Sequence, residues 1–200
     1  MKILKVGDRE GNPRLFEQMF RGRTKVFHER LRWPVQVQDG LEIDYYDREL
    51  EPVYILDLDD TGQLRGSLRL LPTTSTTMIQ REFLDFFDEP VDIADPNMWE
   101  CTKFCVHDGD SGTSIRLLIA LHELCTECGI ERIMGLYELQ MERVYARLGW
   151  EPERIATAKP GYGKLGVGIW SVHPMALDRM HSNLAQRDRA AAGSLIEPAQ

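Results

Sequence analysis

The sequence predicts a three-layer α-β-α sandwich, an α/β fold in which helices cover both faces of a mixed, twisted sheet. Three observations support this fold class. Strand patterns come first, and then strand and helix patterns alternate along the chain. A length of 200 residues suits one domain, and such a chain can bury about 70% of its unfolded surface without disulfides or metal. Hydrophobic residues at 42% and charged residues at 28% are typical of a globular protein.

The first half of the chain is interpreted as strands around one long helix. Pro13 favours a helix start, and Pro34 sets the helix end because the residue before a proline avoids helical angles. Asp59 and Gly62 supply turn residues between two apolar runs, which indicates a β-hairpin. The predicted elements are a strand at 2–6, a helix at 13–32, an ordered loop at 35–51, strands at 53–58 and 64–71, and a short helical segment at 77–87.

The second half alternates strands and helices. Its clearest helix carries Ile115 and Ile119 on one apolar stripe and ends at Gly129, a residue type that favours helix ends. Beyond the last strand the composition shifts to Ala, Gln, Arg, Gly and Pro without an apolar period. We therefore expect one domain over 1–182 and a flexible C-terminal tail over 183–200. The predicted elements are a strand at 99–106, a loop at 107–112, helices at 114–128 and 138–148, and strands at 130–137, 154–157 and 167–172.

Composition and charge exclude several classes of function. The 24 basic and 32 acidic side chains give a net charge of −8, and such a surface repels nucleic-acid phosphates. No apolar run approaches the roughly 18 residues of a membrane span, and the N-terminus lacks a signal-peptide core. Cys125 and Cys128 lie within a helical pattern without a second ligand pair, so we expect reduced thiols and no metal site. A cytoplasmic protein that binds neither nucleic acid nor membrane is predicted.

Four segments are unusually polar for their positions. Basic and aromatic residues crowd 23–34, and acidic residues crowd 39–47. Arg69 lies inside an apolar strand, and Glu100 and Lys103 lie among aromatic residues in another. Because an unpaired buried charge costs several kcal/mol, opposite charges from remote segments are expected to meet.

In order and spacing these segments resemble the acyl-homoserine lactone synthases, the autoinducer synthases of bacterial quorum sensing. The family pattern is Arg-x3-Phe-x5-Trp, then Asp-x2-Asp, then a strand arginine before Leu-x-Pro-Thr, then Glu-x2-Arg-Phe. The resemblance covers about residues 1–175, and Lys103 stands where the family usually has arginine. The matching residues are Arg23, Phe27, Trp33, Asp44, Asp47, Arg69, Glu100 and Phe104.

The resemblance implies a fold related to the N-acetyltransferases (GNAT-related) and two substrates. One substrate is S-adenosylmethionine, and the other is an acyl thioester of acyl carrier protein or coenzyme A. In the implied reaction the amine of S-adenosylmethionine attacks the thioester carbonyl, and the carboxylate then displaces methylthioadenosine to close the lactone. No further cofactor is implied. The acyl group, the choice of donor and the oligomeric state are left open.

Glu100 is the candidate general base of this reaction. The α-ammonium of S-adenosylmethionine must lose a proton before it can attack, and a carboxylate among apolar residues has the raised pKa that suits this task. The alternative is that Glu100 only pairs with Arg69 or Lys103. The family resemblance favours catalysis.

The remaining charged and aromatic motif residues are expected to bind S-adenosylmethionine or to support its site. Arg23, Asp44, Asp47 and Arg69 form a charge network that either contacts the substrate or only fixes the loop at 35–51, and both roles stay open. Aromatic faces attract a sulfonium and an adenine ring, so the family's three aromatic residues are candidates for that contact, although an aromatic residue taken singly is more often part of the core. A lysine at 103 offers a point charge in place of a planar fork, which is expected to alter donor preference or substrate affinity. The three aromatic candidates are Phe27, Trp33 and Phe104.

The acyl donor is assigned to the second half of the chain. In related acyltransferases the helix after the 107–112 loop begins at the pantetheine or pyrophosphate, a use that Gly112 and Thr113 fit and that Asp108 and Asp110 oppose. The alternative is an ordinary cap of the helix by Ser111 or Thr113. An acyl tunnel is predicted between sheet and helix, although apolar residues there are core by default. Its candidate lining residues are Met134, Leu136, Tyr137 and Met141.

Two other functions compete with the synthase. One is an N-acyltransferase that acts on another amine, and the other is a non-catalytic module that binds acyl carrier protein. Because acyl carrier protein is acidic, its docking would need a local basic patch on this acidic chain. The candidate patch consists of Arg143, Arg147, Lys159 and Lys164.

Overall fold

The computed structural model describes residues 1–110 and 112–194, which build a seven-stranded mixed sheet. Neighbouring strands run antiparallel except for one parallel pair near the middle of the sheet. Two further short strands, β2 (Val37–Gln38) and β3 (Leu41–Glu42), form a separate hairpin. In order across the sheet, the strands are β1 (Lys2–Lys5), β4 (Val53–Leu58), β5 (Leu64–Pro72), β6 (Met98–Val106), β7 (Arg132–Glu138), β9 (Leu165–Ser171) and β8 (Glu153–Thr157).

Helices pack on both faces of this sheet, which confirms the predicted three-layer arrangement. Side chains alternate along β4, so that Tyr54 and Leu56 pack with Phe16 on one face, while Val53 and Ile55 join the core under the helix Thr113–Cys128 on the other. A strand buried on both faces reads as a continuous apolar run. The helices are α1 (Pro13–Arg23), which continues as a π-helical segment (Thr24–Arg30), α2 (Tyr45–Glu49), α3 (Met78–Glu82), α4 (Thr113–Cys128), α5 (Glu142–Leu148) and α6 (Pro174–Ser194).

Two regions differ from the sequence prediction. The loop expected at 35–51 contains the β2–β3 hairpin and α2. The tail expected at 183–200 is helical through Ser194. Ala176 and Met180, four residues apart, anchor α6 in the core, and Leu184 packs against the same core cluster. The Ala-, Gln- and Arg-rich composition taken as a tail is a strong helix former. Residues 195–200 lie outside the described part of the chain.

The parallel pair β6–β7 opens into a gap. The two strands pair only from Met98 opposite Arg132 to Glu100 opposite Met134, and β7 then continues against β9 alone. On its other side β6 bulges, because Thr102 pairs with Arg69 and Cys105 with Ser67, leaving two residues opposite one. At this bulge Lys103 adopts a left-handed conformation with φ 52°, which costs a residue with a side chain about 1–3 kcal/mol. The sheet is therefore irregular on both sides of β6.

Candidate active site

Two cavities meet at the gap between β6 and β7. The larger, of about 990 Å³, lies on the side of α2 and α3. The smaller, of about 360 Å³, lies on the side of α4 and α5 and is lined mainly by apolar side chains. The residues that line both cavities are Phe27, Trp33, Cys101, Thr102, Lys103, Leu136 and Glu138.

Two buried arginines share carboxylates behind the larger cavity. Arg23 and Arg69 are 1% and 0% exposed. Arg23 binds Asp47 with both terminal nitrogens, at 3.0 and 2.8 Å, and donates through Nε to Glu42. Arg69 donates to Asp47 at 2.9 Å and to both oxygens of Asp44 at 2.5 and 3.0 Å. The structure thus brings four predicted residues from three remote segments into one network, in which Asp47 bridges the arginines.

Asp47 is strongly held in its ionised form. Burial alone would raise the pKa of this carboxyl, but the guanidiniums of Arg23 and Arg69 outweigh burial and hold the pKa well below its usual range. The hydroxyl of Tyr54 also donates to Asp47, at 2.8 Å. Asp47, Arg23 and Arg69 line neither cavity, whereas Asp44 lines the larger one.

The Asp-x2-Asp spacing has a local cause at the start of α2. Asp44 caps the helix by accepting the N–H groups of Tyr46 at 3.0 Å and Asp47 at 3.3 Å. Asp47 reaches back and accepts the N–H of Asp44 at 3.0 Å. This reciprocal pair is a capping box, which orients both carboxylates toward the arginines.

Glu42 completes the network, although it was not among the predicted site residues. It is buried and accepts from Lys103 Nζ at 2.8 Å as well as from Arg23. The cations Arg23, Arg69 and Lys103 outnumber Asp44 and Asp47 by one, so charge balance called for a third carboxylate. Lys103 also lies 3.5 Å from Asp44 and 5.2 Å from the centre of the Phe27 ring. The lysine that departs from the family pattern is therefore directed at the acidic loop.

Glu100 lies apart from these ion pairs. Its buried carboxylate accepts the N–H groups of Met78 at 2.8 Å and Ile79 at 2.9 Å, at the start of α3, and it lines the larger cavity. Burial raises the pKa of Glu100 to about 7, although the two N–H groups and the Arg69 guanidinium oppose the shift. No ion pair between described residues includes Glu100, so the alternative in which it pairs with Arg69 or Lys103 lacks support. A carboxyl with this pKa can accept and release protons near neutral pH.

The three aromatic candidates occupy different places. Phe27 and Trp33 stack with their ring centres 5.3 Å apart and line both cavities. Phe104 lines only the smaller cavity, away from the acidic residues around which a sulfonium site was expected. Sequence reasoning missed five aromatic residues of the larger cavity. Two of them are the variable positions of the Asp-x2-Asp motif, and the other three lie outside the motifs. They are Tyr45, Tyr46, Phe83, Phe86 and Tyr162.

Three of the four acyl-tunnel candidates line the smaller cavity, namely Leu136, Tyr137 and Met141. Met134 does not line either cavity and is fully buried in a core cluster with Ile79 on the α3 side. The reason is strand alternation, because residue 134 faces opposite to Tyr137 on β7. The prediction that Met134 lines the tunnel therefore disagrees with the structure.

The Asp110 carboxylate occupies the start of α4, where a ligand phosphate would otherwise bind. Asp110 accepts the N–H of Gly112 at 2.8 Å and the hydroxyl of Thr113 at 3.2 Å. Arg116 and Arg65 pair with the same carboxylate. Gly112 and Thr113, predicted to hold the pantetheine, line neither cavity. Of the two predicted capping residues, Thr113 is not the cap and Ser111 lies outside the described residues.

The described residues provide neither a cluster of metal ligands nor a membrane-spanning helix. Across 1–110 and 112–194, no group of three or more His, Cys, Asp or Glu side chains is placed to hold a metal ion. Over the same ranges, every helix is too short or too polar to cross a membrane.

Residues 9–165 match the family model for autoinducer synthases. The chain is 43% identical over 192 residues to the acyl-homoserine-lactone synthase of Rhizobium etli, an alignment that covers 93% of this chain and 91% of that relative. It also superposes with a TM-score of 0.80 on the solved structure of BjaI, a CoA-dependent acyl-homoserine lactone synthase with SAM and isopentyl-CoA. That superposition has 25% sequence identity and covers 92% of this chain and 88% of BjaI.

A more distant structure identifies the wider fold. An acyl-CoA N-acyltransferase from Pseudomonas aeruginosa superposes with a TM-score of 0.54 at 14% identity, over 86% of this chain and 97% of that one. This similarity concerns the fold alone and confirms the predicted N-acetyltransferase-like architecture. Taken with the 43% identity over nearly the whole chain, the family match establishes that the chain belongs to the autoinducer synthases, the acyl-homoserine lactone synthases, which are acyltransferases.

Proposed function

We propose that this protein makes an acyl-homoserine lactone from S-adenosylmethionine and an acyl thioester in two steps. In the first step the α-amine attacks the thioester carbonyl, the C–N bond forms, the C–S bond breaks, and the thiol leaves. In the second step the carboxylate oxygen of the acylated S-adenosylmethionine attacks the γ-carbon of the amino-acid side chain, which is bonded to the sulfonium. The bond between this carbon and sulfur breaks, and neutral methylthioadenosine leaves as the lactone closes. The single observation that carries this proposal is the meeting of a large acidic cavity and a smaller apolar one beside Glu100.

The larger cavity suits S-adenosylmethionine. This substrate carries two positive charges, on its ammonium and its sulfonium, and Glu42, Asp44 and Glu82 are among the carboxylates that line the cavity. The stacked rings of Phe27 and Trp33 offer an aromatic face to the sulfonium or the adenine. We assign the buried residues behind this cavity, Arg23, Asp47 and Arg69, to holding the acidic loop in place.

Glu100 is assigned as the general base. It lines the cavity assigned to the amine, and its pKa of about 7 lets it accept a proton from the ammonium, directly or through one water.

The oxyanion that forms in the first step needs preorganised hydrogen-bond donors. The bulge at Lys103 and Phe104 frees backbone N–H groups of β6 from regular pairing, and we assign the oxyanion to them.

The smaller cavity is assigned to the acyl chain and the end of its carrier. Its apolar lining includes Leu136, Tyr137 and Met141. The gap between β6 and β7 connects the smaller cavity to the larger one, where the amine of S-adenosylmethionine would bind, so the thioester carbonyl would lie in the gap.

We also assign the protein to the cytoplasm. This compartment is reducing and keeps thiols such as the four free cysteines of this chain reduced.

Product analysis by mass spectrometry tests the function. Purified protein is incubated with S-adenosylmethionine and a panel of acyl-CoA and acyl-carrier-protein donors. We expect methylthioadenosine together with an N-acyl-homoserine lactone. An acylated amine without methylthioadenosine would instead indicate an N-acyltransferase for another amine. Protein that is folded and yields no product with any donor would contradict the proposal.

Charge reversal on α5 tests for a carrier-protein docking surface. Arg143 and Arg147 are exposed on this helix. If acyl carrier protein is the donor and docks there, Arg143→Glu with Arg147→Glu lowers kcat/KM for that donor by about tenfold or more, because complementary charge raises the association rate. The same variant retains its kcat/KM with acyl-CoA, which serves as the matched control. An unchanged rate with the carrier-protein donor would rule this surface out.

A further inference from the structure

The junction of the two cavities contains a carboxylate that lacks a cationic partner. Glu138 is the last residue of β7, and its half-buried side chain lines both the larger and the smaller cavity. The amide of Gln140 donates to one of its carboxylate oxygens at 2.6 Å. Over residues 1–110 and 112–194, no basic side chain forms an ion pair with Glu138. The second oxygen is therefore left for a ligand.

The backbone around Glu138 is held in place by β9. Glu138 pairs with Leu165 in the antiparallel ladder, and Leu139 donates its N–H to the carbonyl of Lys164 at 2.9 Å. Leu136 lies two residues earlier on the same side of the strand and also lines both cavities. This part of β7 is not paired with β6. A fixed strand therefore presents the carboxylate at the open side of the gap.

The other carboxylates of the larger cavity already have partners. Glu42 and Asp44 belong to the buried network, in which three carboxylates balance three cations. Glu82 lies 3.7 Å from the guanidinium of a neighbouring arginine. Glu100 accepts two backbone N–H groups at the start of α3. Glu138 is therefore the lining carboxylate whose charge a bound cation would balance.

The structure of S-adenosylmethionine places its sulfonium near this junction. In the proposed reaction the amine meets the thioester carbonyl in the gap between β6 and β7, and only three carbon atoms separate the amine nitrogen from the sulfur. The stacked rings of Phe27 and Trp33 line the same junction and offer a face to a cation. The carboxylate of Glu138 adds a charge–charge attraction, which grows as the substrate excludes water from the cavity.

We propose that Glu138 is a further substrate-binding residue, which pairs with the sulfonium of S-adenosylmethionine. This inference rests on the proposed function. The pair exists only while the sulfur is charged, because the second step breaks the carbon–sulfur bond and releases neutral methylthioadenosine. Glu138 thus stabilises the bound substrate more than the transition state of lactone closure. Its loss is expected to weaken binding without lowering kcat.

Binding of S-adenosylmethionine and S-adenosylhomocysteine tests this pairing, because the two differ by the methyl group that makes the sulfur positive. Isothermal titration calorimetry gives both dissociation constants without an acyl donor. The natural protein is expected to bind S-adenosylmethionine more tightly. Glu138→Gln keeps an oxygen that can accept from Gln140, and it is expected to reduce the ratio of the two dissociation constants by about tenfold.

A matched variant and steady-state kinetics complete the test. Glu131→Gln removes the same charge from the exposed residue just before β7 and is expected to keep the ratio within about twofold, since distant exposed charges are screened. In assays of methylthioadenosine release, Glu138→Gln is expected to raise the KM for S-adenosylmethionine by about tenfold without a fall in kcat.

Four outcomes would overturn the role of Glu138. A Glu138→Gln variant could keep the natural ratio, weaken both ligands equally, or lower kcat at an unchanged KM. The ratio could also fall as far in Glu131→Gln, which would show an effect of net charge alone. Failure of the proposed function looks different, because a protein that binds S-adenosylmethionine with the expected ratio and releases no methylthioadenosine with any donor contradicts the synthase reaction while supporting the pairing. A natural protein that binds neither ligand overturns both.

Discussion

Replacing Glu100 with glutamine is expected to lower kcat by about 10²–10⁴-fold, the usual contribution of a general base. Glutamine keeps the size of the side chain and an oxygen that can accept from Met78 or Ile79 at the start of α3. It cannot take a proton from the substrate ammonium. Steady-state assays of methylthioadenosine release measure the loss, and the KM for S-adenosylmethionine is expected to change much less. A kcat within threefold of the natural value would contradict the role of Glu100 as base.

The same variant separates catalysis from folding. The folded-state pKa of Glu100, about 7, lies above its ordinary value of 4.5. Its contribution to stability is therefore fully present below pH 4.5 and is lost as the pH rises through about 7. Because glutamine cannot ionise, Glu100→Gln is expected to match or exceed the natural protein in thermal stability at pH 8. Circular dichroism shows whether an inactive variant is folded. Only a folded variant attributes the loss of activity to the missing base.

The pH dependence of the rate provides an independent test. If Glu100 acts in its ionised form, kcat/KM rises with pH through about 7 and then levels, since this profile reports the free enzyme. The amine of the substrate titrates as well. A rising limb that persists unchanged in Glu100→Gln would therefore belong to the substrate, whereas a limb that disappears belongs to Glu100.

Sequence reasoning predicted the layers and most of the sheet, because these follow from local patterns. The nearly continuous apolar run along 53–58 and the apolar stripe of α4 both report burial directly. The irregular parts could not be predicted in the same way. The bulge at Lys103 and the separation of β6 from β7 depend on how three strands pair with one another. The sequence of a single strand does not contain this information.

In the candidate site, too, some features could be predicted from the sequence and others could not. The motif spacing identified Arg23, Asp44, Asp47 and Arg69, whose partners come from remote segments and which the fold brings together. The motif spacing did not distinguish residues that line a cavity from residues that are buried behind the cavity wall. Arg69 and Asp47 hold the loop that carries Asp44, and only Asp44 reaches the larger cavity. In the second half of the chain, Met134 was misplaced by one step of strand alternation.

Asp47 is the residue on which the network depends most, and Asp47→Asn is expected to lower the free energy of unfolding by about 3–5 kcal/mol. The asparagine would leave Arg23 and Arg69 without the anion that bridges them, and both guanidiniums are buried. A loss of this size is a large share of the roughly 5–15 kcal/mol that stabilises a domain. Urea denaturation at pH 7 measures the loss, and Asp60→Asn, which removes the same charge from an exposed turn, is expected to stay within about 0.5 kcal/mol of the natural protein.

The acid side of the stability profile tests the cause of that loss. Because the folded-state pKa of Asp47 is depressed, its contribution is present above its ordinary value of 3.8 and is lost as the pH falls below it. The difference between the natural protein and Asp47→Asn is therefore expected to shrink between pH 5 and pH 3, roughly the range in which an unperturbed Asp takes up its proton. A constant difference over that range would mean that asparagine disturbs packing or the α2 cap rather than charge. If the difference shrinks, the ion pairs of the network position the acidic loop, and substrate contact is left to Asp44 and Glu42 at the cavity surface.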